Sequence, residues 1–293
     1  MIISINIIEN GSLKFVDKRH WNKFKKRKIN FVALAIIVLL VIIAIFAPNF
    51  SPYEPLAQDY EKILLPPSRS HIFGTDNLGR DIFSRVIYGS RITVQIGLFA
   101  SILACSLGLI QGLIAGYFGG ILDTLIMRFT DILLSIPTIL LAIAIIAILG
   151  PSVNTLIFAI AIASMSQFTR VVRGTVLYVK EYTFVLASRA IGQGDLNILF
   201  KHILPNILGP VIVLATIRVA GAILVGAALS FVGLGAQPPT PEWGALLNEA
   251  RIYLRTAWWF TLFPGMTLAV TILSINILGD SLRDIFDPKT YYS

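Results

Sequence analysis

The sequence predicts an all-α integral membrane protein of six transmembrane helices, with the N and C termini both in the cytoplasm. Three observations carry that prediction. Of 293 residues, 56% are hydrophobic and only 14% charged, against roughly 25% charged in an ordinary soluble domain. The charge is missing from long runs, and a hydrocarbon core about 30 Å thick needs about 20 such residues in a helix to cross it. The densest basic segment (Lys18, Arg19, Lys23, Lys25, Lys26, Arg27 and Lys28) stands directly before the first run, where the positive-inside rule places a cytoplasmic flank.

Each element follows in order. Residues 1–28 form the basic cytoplasmic segment and 29–47 the first transmembrane helix, closed by Pro48. That run is longer than a signal-peptide core, follows a long polar leader and lacks a small-x-small exit, so it reads as a retained helix. Residues 48–90 form an extracytoplasmic loop broken by Pro52, Pro55, Pro66 and Pro67. Within it Thr75 or Asp76 is placed to cap a short helix starting near Asn77. Thr75, Asp76, Arg80 and Asp81 are candidates for touching an external protein or gating the mouth, a purely structural loop being the equal alternative. Residues 91–285 hold five further helices, at about 92–117, 125–149, 155–172, 207–234 and 258–278, and 286–293 are a cytoplasmic tail. Counting from inside, Arg170, Arg173, Lys180, Arg189 and Lys201 return to the cytoplasm. Trp258 and Trp259 open the last span at the depth of an aromatic belt.

The same residues exclude several functions. The net charge of +8 belongs to membrane flanks and not to a nucleic-acid face. His20, His71 and His202 are far apart, and no Cys/His set has metal-ligand spacing. The single Cys105 sits in an apolar run and has no internal disulfide partner. No G-x-x-x-x-G-K-[ST] loop is present, so ATP-driven work belongs to another subunit. An ion-coupled carrier needs intramembrane acids, which the mid-span positions hardly offer, and no convincing internal repeat marks a secondary transporter. Arg218 falls near the middle of the fifth span, where a cation costs about 2.5–3.5 kcal/mol on insertion scales. It is a candidate pathway residue, with an interhelical pair or snorkelling toward the cytoplasm as alternatives. Arg128 and Asp131, three residues apart and close to Asp123, have the spacing of a helical ion pair. Gln95 and Gln111 are expected to make interhelical hydrogen bonds.

The cytoplasmic loop 181–206 reads EYTFVLASRAIGQGDLNILFKHILPN. Its first half suits a short helix, 181–191, with Glu181 at the positive end. Ala187, Ala190 and Gly194 share a stripe, and the helix ends near Gly192. A second helix, 196–203, is expected to stop before Pro205. The residues alone leave a docking surface and an ordinary amphipathic connection equally open. Ala187, Ser188, Ala190, Gly192, Ile203, Leu204, Pro205 and Asn206 nevertheless resemble the cytoplasmic EAA loop of ABC importer permeases. The blocks HIFGTDNLGRDIFSRVIYGSR (71–91), LSFVGLGAQPPTPEWG (229–244) and WWFTLFPGMTLAVTILSINILGDSLRDIFD (258–287) are similar to C-type subunits of the dipeptide, oligopeptide and nickel permease group.

That resemblance implies a type I ABC importer permease fold in a prokaryotic plasma (inner) membrane. It implies half of a translocation pathway for di- or oligopeptides, with nickel or another small solute as the alternative within the group and an autonomous carrier as a more distant one. The implied partners are a second homologous permease subunit in a heterodimer, two ATPase subunits, an external solute-binding protein and membrane lipid, with no nucleic acid. ATP and Mg would sit on the ATPases, and this chain would bind no cofactor. Coupling to the ATPases would fall to Glu181, Ala187, Ser188, Arg189, Ala190, Gly192, Ile203 and Pro205. One position departs from the pattern: Gly226 stands where a glutamate is expected, which makes it a second candidate pathway residue.

Overall fold

The computed structural model describes residues 27–286. The basic leader up to residue 26 and the tail from residue 287 lie outside the described residues. Helix α1, Lys28–Ile45, is apolar all round and buries only Asn30, Ala33, Leu40 and Ala44, as a lipid-facing helix should. Pro48 falls in the first turn of a short Ala47–Phe50 helix, where its missing N–H has no intrahelical partner to lose.

Helix α2, Ile82–Phe118, starts ten residues before the expected span. Asp81 caps it, accepting from the Ser84 N–H at 2.7 Å; the polar residues of that first stretch hide the helix from an apolar ruler. The expected helix near Asn77 is absent, and Asp76 instead accepts from the Leu78 and Arg80 N–H groups in a turn.

The expected straight span 125–149 is two helices, α3 (Gly120–Ser135) and α4 (Thr138–Leu149), bent by 94°. Pro137 causes the break: it has no N–H to give and holds Ile136 extended at φ −98°, ψ 128°. Helix α5, Val153–Val179, is capped by Ser152 and runs seven residues past its expected end. Helix α6 covers Thr183–Ala190. Beyond it the chain winds as one apolar rod over Asp195–Phe231, of which α7 is Leu204–Phe231. The expected stop before Pro205 therefore does not occur. Ile198–Ile203 form a wide π turn in which the Leu204 N–H reaches the Leu199 carbonyl, so the missing Pro205 donor falls at the join of the two helical forms. Helix α8 is Trp243–Ala250, and α9, Trp258–Phe286, carries 279–284 on as helix. Among the described residues five helices are long and apolar enough to cross a membrane, or six spans when the bent α3–α4 pair is counted as one.

Helices α2 and α5 pack most extensively. Gly108, Gly112 and Gly116 recur once per turn on α2, and a Cβ at any of them would strike Phe168, Val172 or Val176 on α5. Close backbone approach of this kind holds helices together where lipid removes the hydrophobic drive. Gln111 accepts from Thr169 Oγ1 at 3.0 Å across the same interface, whereas Gln95 is exposed and Cys105 is half-buried. The expected Arg128–Asp131 pair is replaced by pairs between α3 and α5: Asp131 with Arg170 at 2.7 Å and Asp123 with Arg173 at 2.5 Å. The acids do pair structurally, but with a neighbouring helix that sequence spacing does not show.

Candidate functional site

Two assemblies occupy opposite ends of α2. At the α6 end, Val185 and Ser188 face inward. Val185 packs with Val172, Val176, Val179, Ile198, Ile203 and Ile207. The helix stops at a left-handed Gly192 (φ +77°), with the Gly192 N–H on the Arg189 carbonyl at 3.0 Å and the Gln193 N–H on the Ser188 carbonyl at 3.1 Å, a double bond pattern that satisfies the last free carbonyls. The outward face carries Ala187 and Ala190, with Ile191 83% and Leu196 68% exposed. Such a cluster of apolar side chains on the surface of a polar loop marks an interaction site.

Two contacts fix this loop to α2 and a third closes it on itself. The Tyr117 hydroxyl meets Asp195 Oδ1 at 2.6 Å, the Arg189 guanidinium lies 5.7 Å above the Tyr117 ring, and His202 Nε2 is 3.0 Å from Gln193 Oε1. Of the expected coupling residues, Glu181, Ala187, Arg189, Ala190 and Gly192 are exposed. Ser188 and Ile203 are buried and Pro205 is half-buried, so these three anchor the loop and do not present it. Glu181 precedes the Tyr182 cap and lies outside the helix. Sequence reasoning missed Tyr117, Asp195, His202 and Ile191; only the unusual exposure of an isoleucine would have flagged the last.

At the α8 end the loop 51–81 closes over the bundle. Arg85, fully buried, reaches Asp76 Oδ2 at 2.5 Å and Glu249 Oε2 at 2.8 Å. Arg80 reaches the same two oxygens at 2.6 and 2.7 Å. Two cations and two carboxylates thus share one buried cluster whose charges cancel. His71 Nδ1 lies 2.9 Å from Asp81 Oδ1, Trp243 Nε1 donates to the Val86 carbonyl at 2.9 Å, and Trp259 Nε1 to the Thr75 carbonyl at 3.4 Å. Trp259 is therefore buried, and only Trp258 is exposed as a belt residue would be. Thr75, Asp76, Arg80 and Asp81 are 0, 0, 4 and 3% exposed. Their side chains hold the loop together, which is the structural alternative the sequence left open.

The two glutamates of α8 differ. Burial pushes the Glu249 carboxyl up, but the Arg85 and Arg80 guanidiniums outweigh it and hold the group below the usual carboxylate range. Glu242 is fully buried and caps α8, accepting from the Ala245 N–H at 3.0 Å and from Thr93 Oγ1 at 3.1 Å. Burial raises its carboxyl, and its neutral partners offset that only in part.

Mid-bundle, Gly226 is buried with its Cα against Ile96 and Ile160; a Cβ there would come within 2.7 Å of Ile96 Cγ2. A side chain at this position would have to displace Ile96. Arg218 is half-buried, its Nε buried without a hydrogen-bond partner. Among the described residues no group of His, Cys, Asp and Glu is placed to hold a metal.

Long apolar helices, a broken span and an apolar loop at one end define a multi-pass membrane protein built to work with soluble partners. The chain belongs to the family of binding-protein-dependent transport system inner membrane components, whose model matches residues 108–291. Residues 18–67 match the N-terminal TM domain of oligopeptide transport permease C. It is 47% identical over 269 residues to the dipeptide transport system permease protein DppC of Alkalihalophilus pseudofirmus, covering 92% of this chain and 88% of that one. It is 40% identical over 290 residues to the glutathione transport system permease protein GsiD of Pectobacterium atrosepticum, covering 99% and 96%. An inward-facing structure of the MetNI methionine ABC transporter superposes with a TM-score of 0.57 at 20% identity, covering 70% of this chain and 98% of that chain, which supports the fold alone. The chain is thus a transport component of the inner membrane and not an enzyme, and its family works with an ATPase and a solute-binding protein.

Proposed function

We propose that this chain is one permease subunit of an ATP-driven importer of di- or oligopeptides. It supplies half of the pathway and takes its drive through the α6 loop. The observation that carries the coupling role is the exposed apolar face of Ala187, Ala190, Ile191 and Leu196, on a loop whose other face is locked into the bundle. A rigid mount with a sticky outer surface transmits movement; a flexible connection would absorb it. The α6 end then faces the cytoplasm and both termini lie on that side. Two ATPases hold ATP and Mg, a second homologous permease completes the pathway, and a binding protein delivers the solute at the α8 end. Relatives named for dipeptide and glutathione transport support a peptide solute.

The test is ATP-dependent uptake of a dipeptide into proteoliposomes holding the complete complex, with and without Gly192→Asp. A Cβ at Gly192 meets nothing within 4 Å, so the substitution strains the left-handed turn and adds charge to the face without disturbing the core. Uptake is expected to fall at least tenfold, with ATPase release or futile hydrolysis, at an unchanged amount of folded permease. Uptake by this chain without ATPases would overturn the proposal.

A further inference from the structure

Arg218 has no place in the coupling surface or in the α8-end cluster. On α7 it stands 14 residues after Leu204 and 13 before Phe231 (218 − 204; 231 − 218), about 20 Å from either end at 1.5 Å per residue. An arginine side chain extends roughly a third of that, so snorkelling does not bring its charge to either surface. None of the ion pairs among the described residues includes it, which removes an interhelical pair among those residues. Its Nε is buried without a partner.

The face it occupies is open. Gly221, one turn on, is exposed, and a Cβ there meets nothing within 4 Å; Leu224, one turn beyond Gly221 and to one side of Arg218, is 53% exposed. Lipid against this face would leave an uncompensated cation in hydrocarbon, which is why such residues face a bundle interior or a watery cavity. A guanidinium presents a planar fork of N–H donors whose best partner is a carboxylate, bound through two parallel bonds.

We infer that Arg218 lines the pathway and binds the carboxylate of the passing solute, making it a specificity residue for anionic ends. This rests on the importer reading above. The open stripe around Gly221 leaves room for the solute beside the charge. The site is held empty between cycles at a cost in stability, and the carboxylate relieves that cost in passing.

The experiment reconstitutes the complete complex and measures ATP-driven uptake of dialanine, of glutathione and of the C-terminal amide of dialanine. Arg218→Gln is expected to lower uptake of the two carboxylates about tenfold or more, the worth of a lost charge-assisted hydrogen bond. Arg218→Lys should keep most of it. Uptake of the amide should be equal in wild type and Arg218→Gln, which separates loss of carboxylate binding from loss of transport. Normal carboxylate uptake by Arg218→Gln would overturn the inference. So would failure of both Arg218→Gln and Arg218→Lys to assemble, which would make the residue a structural partner of an acid on the second permease. A wild-type complex that carries neither dialanine nor glutathione would overturn the peptide reading itself and this assignment with it.

Discussion

The two ends of α2 are built on opposite principles. At one end Asp76, Arg80, Arg85 and Glu249 neutralise one another out of water, under a loop pinned by Trp243 and Trp259. At the other end α6 is a two-turn helix with its outer face bare. The α8 end pairs its clustered cations and carboxylates inside the chain. The α6 end has apolar surface to spare, left bare by this chain. Charged residues are therefore a poor guide to contact in this protein: Asp76, Arg80, Asp81 and Arg85 are buried, whereas the exposed surface suited to docking is made of alanine, isoleucine and leucine.

The strongest way to break this comparison is to remove Arg85. Arg85→Met leaves Asp76 and Glu249 buried with Arg80 as their only cation, and breaking a buried pair from one side costs about 3–5 kcal/mol. The melting temperature of the detergent-solubilised protein should fall steeply. Adding Glu249→Leu should restore part of the loss, because the second carboxylate is then no longer stranded. A single substitution costing under about 1 kcal/mol would show that water reaches the cluster and that this end is not self-sufficient.

Ile191→Asp probes the other end. Surface changes away from special features usually alter stability by no more than about 0.5 kcal/mol, so melting should hardly move. Binding should suffer, since truncating a central interface contact costs roughly 2 kcal/mol or more. Co-purification of ATPase with the permease is expected to drop at least tenfold. Full retention would place the coupling surface elsewhere.

These regions also differ in how far they can be read from sequence. The spans are legible because bilayer thickness imposes a length on apolar runs, and the α6 stop is legible because Gly192 suits a left-handed turn. Helix starts are less so: Asp81 caps a helix whose first ten residues include Ser84, Arg85, Ser90 and Arg91, and hydropathy assigns them to a loop. The 94° bend at Pro137 was hidden inside a stretch read as one span. The misassigned contacts share one cause. Asp131 with Arg170 and Arg85 with Glu249 are pairs separated by 39 and 164 residues, and nothing local announces them. Arg218 was legible for the opposite reason: a cation in mid-span calls for explanation wherever its neighbours fall.

The smallest effect expected concerns Glu242, which sharpens the account of the α8 end by testing whether everything buried there is compensated. Its carboxyl is raised by burial, so the folded state takes up a proton more readily than the unfolded chain. A group shifted this way adds stability below its unfolded value and loses it as pH rises through the raised folded value. Glu249 is shifted downward; its contribution is lost only as pH falls below the usual glutamate range, so the interval from about pH 5 to 8 does not register it. Glu242→Gln keeps an oxygen for the Ala245 N–H and has no charge to desolvate. The variant should therefore melt higher than wild type at pH 8, by about 1 kcal/mol or less, and the gap should close as pH is lowered toward 5. A gap that instead widened toward pH 5 would mean that the folded protein holds Glu242 as a carboxylate against a cation, and that the α8 end has no uncompensated charge at all.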